Sequence, residues 1–443
     1  MKSAQSDTFL SESHPFTWRM EAYRKFFKVL KICLGRLLVG ASRWSETEIG
    51  LQKLTSLSGR DKGREVLWFH AASVGELESL WPLVELSAMD GNLEIILTVF
   101  SGSAWNHLHR MARHLPGRSP LYVGYSPLEG DWTEAIRASG ISIFVTAKYE
   151  AWPEMWNALG DARVPLVIVG AKARSSLLWA KRILTLLGGK IPSILFFSFD
   201  LDNSGGLAAA FPDSEIQVES DPRWDRVYQR SLNPQPRVAE LVRSYADLPK
   251  PWGVIGSAWS SDLVQLPTNA AESIRGTLWV VPHKVDPKSL SEIEILLRER
   301  GFTPTRTSDE NIIKPAGNIA VLVDEMGFLA ELYSVMDWCF VGGGFGSSIH
   351  STIEPSLYGL PLLGGPHGRE KFDEILMLEK QGQLAILPSK DERLSRSNIF
   401  HLIDSFSRVG IEQRKQWAAL NLRHRGASVR IWRVILNRLK NER

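Results

Sequence analysis

Cysteine is scarce in this chain, with two among 443 residues. Cys33 and Cys339 each lie in an apolar stretch and far apart, which speaks against a disulfide framework or a cysteine-built zinc site and favours a reducing compartment. Several signature motifs are missing too. There is no H-E-x-x-H, C-x-x-C or G-x-S-x-G, so zincin, thioredoxin-type and nucleophile-elbow chemistry have no carrier. The P-loop pattern, with its Lys and Ser or Thr after the last glycine, is absent, as is a dinucleotide fingerprint at the first strand. A formal charge of +3 is small for this length and gives no reason to invoke nucleic acid. No cleavable signal peptide is apparent, so the folded domains are expected to stay in the cytoplasm.

What is present is ordinary globular material, 44% hydrophobic and 23% charged, long enough for two or three domains. Residues 1–18 are polar and are expected to be poorly ordered. From Tyr23 to Ala41 apolar residues recur at helical spacing opposite Lys25, Lys28, Lys31 and Arg36. That spacing predicts a basic amphipathic helix, too interrupted by charge to span a bilayer and suited to the interface of an anionic leaflet. Packing on the protein's own core is the alternative. Sixteen tryptophans, several near the basic ends, agree with interfacial placement.

Short apolar runs then alternate with helical periodicity: 66–69, 94–99, 141–146, 165–169 and 194–199, and again 253–256, 278–281, 319–323, 338–341 and 361–363. Repeated β-then-α alternation predicts parallel sheets covered by helices. Pro234, Pro236, Pro249 and Pro251 mark the best linker. The expected division is 1–58 (tail and interface helix), 59–236 (first Rossmann-like domain), 237–428 (second) and 429–443, a basic helix packing back on the first domain. Such a pair makes an inter-domain cleft for a ligand.

The chain's densest glycine cluster, Val341 to Pro366, reads VGGGFGSSIHSTIEPSLYGLPLLGGP. A strand, a glycine turn around Gly344 and a helix start suit an anion. Ser351-Thr352-Ile353-Glu354 has capping-box spacing, and Glu354 is also placed to meet ribose hydroxyls. His70 to Glu76, HAASVGE, follows the first strand; Glu76 is either a general base or the capping-box partner of Ser73. TAKYEAWP brings Glu150 to a strand end, and Arg223 in SDPRWD is a candidate phosphate or carboxylate partner. Pro282-His283-Lys284 and Asp324 to Gly327 also follow strands. Asp200 and Asp202 are the one acidic pair suited to a cation, with a solvated turn as the alternative; no metal is expected.

Four stretches in order, HAASVGE, KYEAWPE, the D-x-x-G-x-L-x-x-x-Y pattern of Asp324 to Tyr333, and GGGFGSSIHSTIEPSLYGLPLLGGP, closely resemble the Kdo (3-deoxy-D-manno-octulosonic acid) transferases of Gram-negative envelopes. The likeness runs from about Trp68 to Leu387. It implies an α/β GT-B glycosyltransferase fold of two Rossmann-like domains and Kdo transfer from CMP-Kdo to a lipid A precursor. The reaction would be inverting and metal-independent, with no cofactor, at the cytoplasmic face of the inner membrane. By the same resemblance Glu76 is the base, Glu150 and Arg223 support the transition state, and CMP contacts fall on Pro282, His283, Met326, Gly327, Phe328, Ser351, Thr352, Ile353 and Glu354. Lys172 and Arg174 are assigned to the Kdo carboxylate.

Four positions depart from the family: His283 stands where arginine is usual, Ser351 for asparagine, Phe328 where glutamate is frequent, and Arg223 where lysine is usual. Lys284 is then a candidate for the phosphate charge. Two alternatives stay open. A GT-B transferase of another nucleotide sugar would be protected thermally by UDP rather than CMP. An inactive membrane-associated nucleotide-binding homologue would have kept only the pocket.

Overall fold

β-branched and aromatic runs too apolar to remain in water pair here as two all-parallel sheets, each covered by helices. The computed structural model describes residues 17–59, 63–232, 235–309, 318–346, 348–388 and 396–441. Residues 1–16 of the expected tail, and Asn233 and Pro234 of the expected linker, lie outside them, as do the side chains of Leu37, Leu38 and Ala41.

The chain divides into two units, one running to Arg223 and including Gly426–Arg443, the other Trp224–Arg425. In the first, β1 (Glu65–Ala71), β2 (Leu93–Val99), β3 (Tyr122–Tyr125), β4 (Ile143–Ala147), β5 (Leu166–Val169), β6 (Ile194–Ser198) and β7 (Glu215–Val218) lie in the order β3-β2-β1-β4-β5-β6-β7. In the second, β8 (Trp252–Ala258), β9 (Thr277–Pro282), β10 (Thr303–Arg306), β11 (Ile319–Leu322), β12 (Trp338–Val341), β13 (Leu362–Gly364) and β14 (Leu384–Ile386) follow β10-β11-β9-β8-β12-β13-β14. Both are doubly wound sheets, whose loops at the C-terminal strand ends are the usual place for ligands.

The ten strands predicted from apolar runs are all found, with ends shifted by a residue or two. Four strands, β3, β7, β10 and β14, carry no such signal, and each is an edge of its sheet. An edge strand is covered less completely than a central one, so its sequence needs no continuous apolar run. TPTR and EIQV are partly exposed accordingly.

Helix Pro236–Ser244 puts Val238 and Leu241 into the second unit's core, so the proline-rich stretch is part of that unit and not a free linker. The change of unit falls before it, between Arg223 and Trp224. The last helix, Ala427–Asn441, buries Ile431, Trp432, Ile435 and Leu439 in the core of the first unit, against helix Val74–Met89.

The N-terminal helix, Thr17–Val39, differs from the two-faced expectation. Met20 enters the first unit's core with Tyr23 and Phe27 turned toward the same side, yet Lys31 is buried there too, bonded to Asp131 at 2.6 Å and Glu48 at 2.8 Å. Phe26, Val29 and Ile32 face outward, more than half exposed. A lysine can turn inward because two carboxylates replace its hydration. No described helix is long and apolar enough to cross a membrane.

Candidate active site

At the C-terminal ends of β1 and β4, five charged groups of the first unit converge. The turn after β1 enters helix Val74–Met89 through a complete capping box. Ser73 Oγ accepts the Glu76 N–H at 3.4 Å, and Glu76 Oε2 accepts the Ala72 and Ser73 N–H groups at 2.7 and 3.1 Å. Glu76 Oε1 has no hydrogen-bond partner among the described residues. One carboxylate therefore serves both readings of the sequence: Oε2 fixes the helix start, and Oε1 is available to take a proton. Burial, and next the charge of Glu150, push the Glu76 carboxyl above its ordinary range, against Lys148, the Ala72 N–H and His70.

Glu150 follows β4. It accepts the Trp152 indole N–H at 2.8 Å and lies 3.5 Å from His70 Nε2. Burial would raise its carboxyl, but the neighbouring His70, and next the Trp152 N–H, hold it below the usual range. The two glutamates are thus pushed in opposite directions, as suits one that takes a proton and one that stays charged.

Arg223 does not stand alone. Asp221 accepts its backbone N–H, its Nε–H and its terminal N–H, each at 2.9 Å, and accepts Ser79 Oγ–H at 3.2 Å. Burial would raise Asp221; Arg223 and Lys148 keep it ionised. Lys148 acts electrostatically on both Glu76 and Asp221, and its φ of 59° places a non-glycine residue in the left-handed region. Sequence reasoning missed Lys148, His70 and Asp221. All three sit inside the motifs already singled out, and the signal was their place at or beside a strand's C-terminal end. Lys172, buried, and Arg174, whose guanidinium lies 4.8 Å from the centre of the Tyr149 ring, follow β5.

Asp200 caps helix Leu201–Ala210 by accepting the Asn203 N–H at 2.7 Å. The described residues include no group of three or more His, Cys, Asp or Glu that would hold a metal.

In the second unit the glycine turn differs from an open cradle. A Cβ on Gly342 would meet Ser257 O at 2.4 Å, and one on Gly344 would meet Gly365 Cα at 2.6 Å, so these glycines let the protein approach itself. The Gly343 N–H is bonded to buried Asp262 Oδ2 at 2.8 Å, and the same oxygen accepts the Trp259 N–H at 2.9 Å. The amides nearest the strand are already occupied. Ser351 and Glu354 form no capping box: the short helix Ile353–Leu357 starts at Thr352 without a side-chain cap. Glu354 instead lies 3.9 Å from Arg230, which binds buried Glu331 at 3.1 and 3.2 Å. Sequence analysis did not anticipate Arg230.

Pro282 closes β9, and His283 donates its N–H to Ala258 O at 2.9 Å. The His283 ring stacks on Trp259 at 4.5 Å and on His350 at 4.6 Å, with Lys284 Nζ 5.6 Å from the Trp259 ring centre. Asp324 is taken up by Thr307 and Ser308. Met326 is exposed, Gly327 has a φ of 107°, and Phe328 is buried, its carbonyl accepting the Leu332 N–H at 2.9 Å.

Residues 43–195 match the profile of the family described as 3-deoxy-D-manno-octulosonic-acid transferase (kdotransferase). A 3-deoxy-D-manno-octulosonic acid transferase of Chlamydophila psittaci is 28% identical over 70% of this chain and 71% of its own length. That of Aquifex aeolicus is 24% identical over 79% and 89%. A Fusobacterium nucleatum bifunctional glycosyltransferase/methyltransferase is 22% identical over 70% of this chain; the match spans about half, 49%, of that longer protein. In fold, the chain is similar to the UDP-GlcNAc 2-epimerase of Neisseria meningitidis (TM-score 0.55, 13% identity, 85% of this chain and 100% of that one). It is also similar to Acinetobacter baumannii MurG (0.50, 12%, 84% and 99%). Two Rossmann-like units with these neighbours are the GT-B architecture.

Proposed function

We propose, from the premise that this chain belongs to the Kdo transferase family and is a glycosyltransferase, that it moves Kdo from CMP-Kdo to a lipid A precursor. Transfer is inverting and metal-independent, with Glu76 as general base. The observation that carries the reading is the divided carboxylate of Glu76: Oε2 is spent on the helix start, Oε1 is unengaged, and burial raises its proton affinity.

Glu76 Oε1 takes the proton of the acceptor hydroxyl as its oxygen attacks the anomeric carbon of Kdo. The bond from that carbon to the phosphate oxygen breaks, and CMP leaves with the electron pair. Arg223, oriented by Asp221, and Glu150, oriented by Trp152 and His70, set the charge around the reacting hydroxyl. Lys172 and Arg174 are assigned to the Kdo carboxylate. On the nucleotide side, His283 is kept uncharged by burial and by Lys284, so Lys284 supplies the positive charge for the phosphate. CMP contacts on Met326, Gly327, Phe328, Ser351, Thr352, Ile353 and Glu354 belong to the same proposal. The enzyme works at the cytoplasmic face of the inner membrane, with the outward Phe26, Val29 and Ile32 of the N-terminal helix meeting the lipid.

The test is Kdo transfer from CMP-Kdo to a lipid A precursor by wild type, Glu76→Gln and Glu76→Ala, with and without a chelator. Transfer by wild type that is indifferent to the chelator, and lost in both variants, is the expected result. Near wild-type transfer by Glu76→Gln would refute the base assignment, and thermal protection by UDP rather than CMP would refute the donor.

A further inference from the structure

The end of β8 is irregular in a way that aims one side chain. The pairing of β8 with β9 slips between Gly256 and Ala258, and Ser257, at the slip, has a φ of 52°. Such a bulge redirects the residues that follow it. Two positions on, the indole Nε1–H of Trp259 donates to His350 Nε2 at 3.1 Å. An indole nitrogen can only donate, so His350 Nε2 must accept; the imidazole is then neutral and carries its single proton on Nδ1.

The rest of the arrangement holds that geometry. The Trp259 N–H and the Gly343 N–H share Asp262 Oδ2, at 2.9 and 2.8 Å, so the residue that aims the indole and the turn that carries His350 are tied to one atom. The His350 N–H returns to Gly342 O at 3.0 Å. His283 lies face-on to both rings, tilted 22° from Trp259 and 21° from His350, so the hydrogen-bonded pair forms a floor beneath it. Burial, and next the neighbouring His283, push His350 down to about 4, which keeps it neutral. His350 Nδ1 has no hydrogen-bond partner among the described residues. A ring so firmly held on one nitrogen, with its other N–H unspent at a sheet's C-terminal edge, is a prepared donor.

We propose that Trp259 is a positioning residue of the nucleotide side, fixing His350 as the Nδ1–H tautomer, and that this N–H donates to an acceptor oxygen of a bound nucleoside monophosphate. The proposal rests on the reading of the second unit as the CMP side. Neither residue belongs to the set assigned to CMP above.

The experiment pairs tautomer with affinity. Long-range proton–nitrogen correlation on histidine-labelled protein should show the His350 proton on Nδ1 in wild type, and its shift toward Nε2 in Trp259→Phe, which keeps an aromatic ring but cannot donate. Calorimetry with CMP should then find Trp259→Phe and His350→Gln about tenfold weaker than wild type, one hydrogen bond's worth. His350→Asn, whose amide sits near the Nδ1 position, should stay within about threefold. A wild-type proton on Nε2, or equal CMP affinity in wild type and His350→Gln, would overturn the proposal alone. Absence of CMP binding by folded wild type would overturn it together with the reading of the second unit.

Discussion

Asp262 Oδ2 accepts the backbone N–H of Gly343 at 2.8 Å. A buried carboxylate thus occupies a turn whose glycines suggest an open anion cradle, and the same oxygen also binds the amide of Trp259. Asp262→Ala would leave these donors without their acceptor and should cost about 1–3 kcal/mol in chemical denaturation. Asp262→Asn retains one acceptor oxygen and should lose less. Equal stability of Asp262→Ala and wild type would show that the turn holds itself.

Glu76 separates its two duties by substitution. Glu76→Gln keeps an amide oxygen for the Ala72 and Ser73 N–H groups, so its melting temperature should stay close to wild type while transfer falls about 10²–10⁴-fold. Glu76→Ala should lose the same activity and about 1 kcal/mol besides.

The pH profile of transfer should carry the mark of the same carboxyl. Because burial and Glu150 raise Glu76, the acidic limb of kcat/KM should lie above an ordinary glutamate's, with activity rising with pH as the base ionises. Glu150→Gln removes the negative neighbour and should move that limb to lower pH. A limb that does not move would dissociate Glu150 from the base.

Glu129 gives a stability profile of opposite sense. Burial, and the charge of Glu154, push its carboxyl up to about 8, while its Oε1 accepts the Glu154 backbone N–H at 2.8 Å. Between the unfolded glutamate range near 4.3 and about 8, the folded state holds a proton that the unfolded state lacks. This group's contribution is therefore complete below the lower value and lost as pH rises through the upper one. Urea midpoints for wild type should decline across that window relative to Glu129→Gln, which mimics the neutral acid. Parallel profiles would exclude it.

Lys31 tests what the N-terminal helix does. Lys31→Ala leaves Asp131 buried without its partner and should destabilise the protein by about 3 kcal/mol, whereas Lys31→Ala with Asp131→Asn should recover part of the loss. Phe26→Asp with Val29→Asp, on the outward face, should leave stability nearly unchanged and weaken flotation with anionic vesicles. Undiminished flotation would remove this face from the membrane reading.

The sequence by itself determined the doubly wound α/β class, the ten central strands and the strand-end placement of Glu76, Glu150 and His283, because buried parallel strands must be continuously apolar and their loops must not be. It held no sign of the four edge strands, which are paired on one side only. Only tertiary structure decided the rest, since spacing along the chain cannot say which atoms an isolated carboxylate or lysine will meet. Ser73 and Glu76 formed their capping box because the Ala72 and Ser73 amides face Glu76, whereas Ser351 and Glu354, at the same spacing, formed none. Lys31 turned inward because Asp131, 100 residues away in sequence, was there to receive it. The Gly343 amide met Asp262, 81 residues earlier in the chain, and the bulge at Ser257 turned Trp259 toward His350.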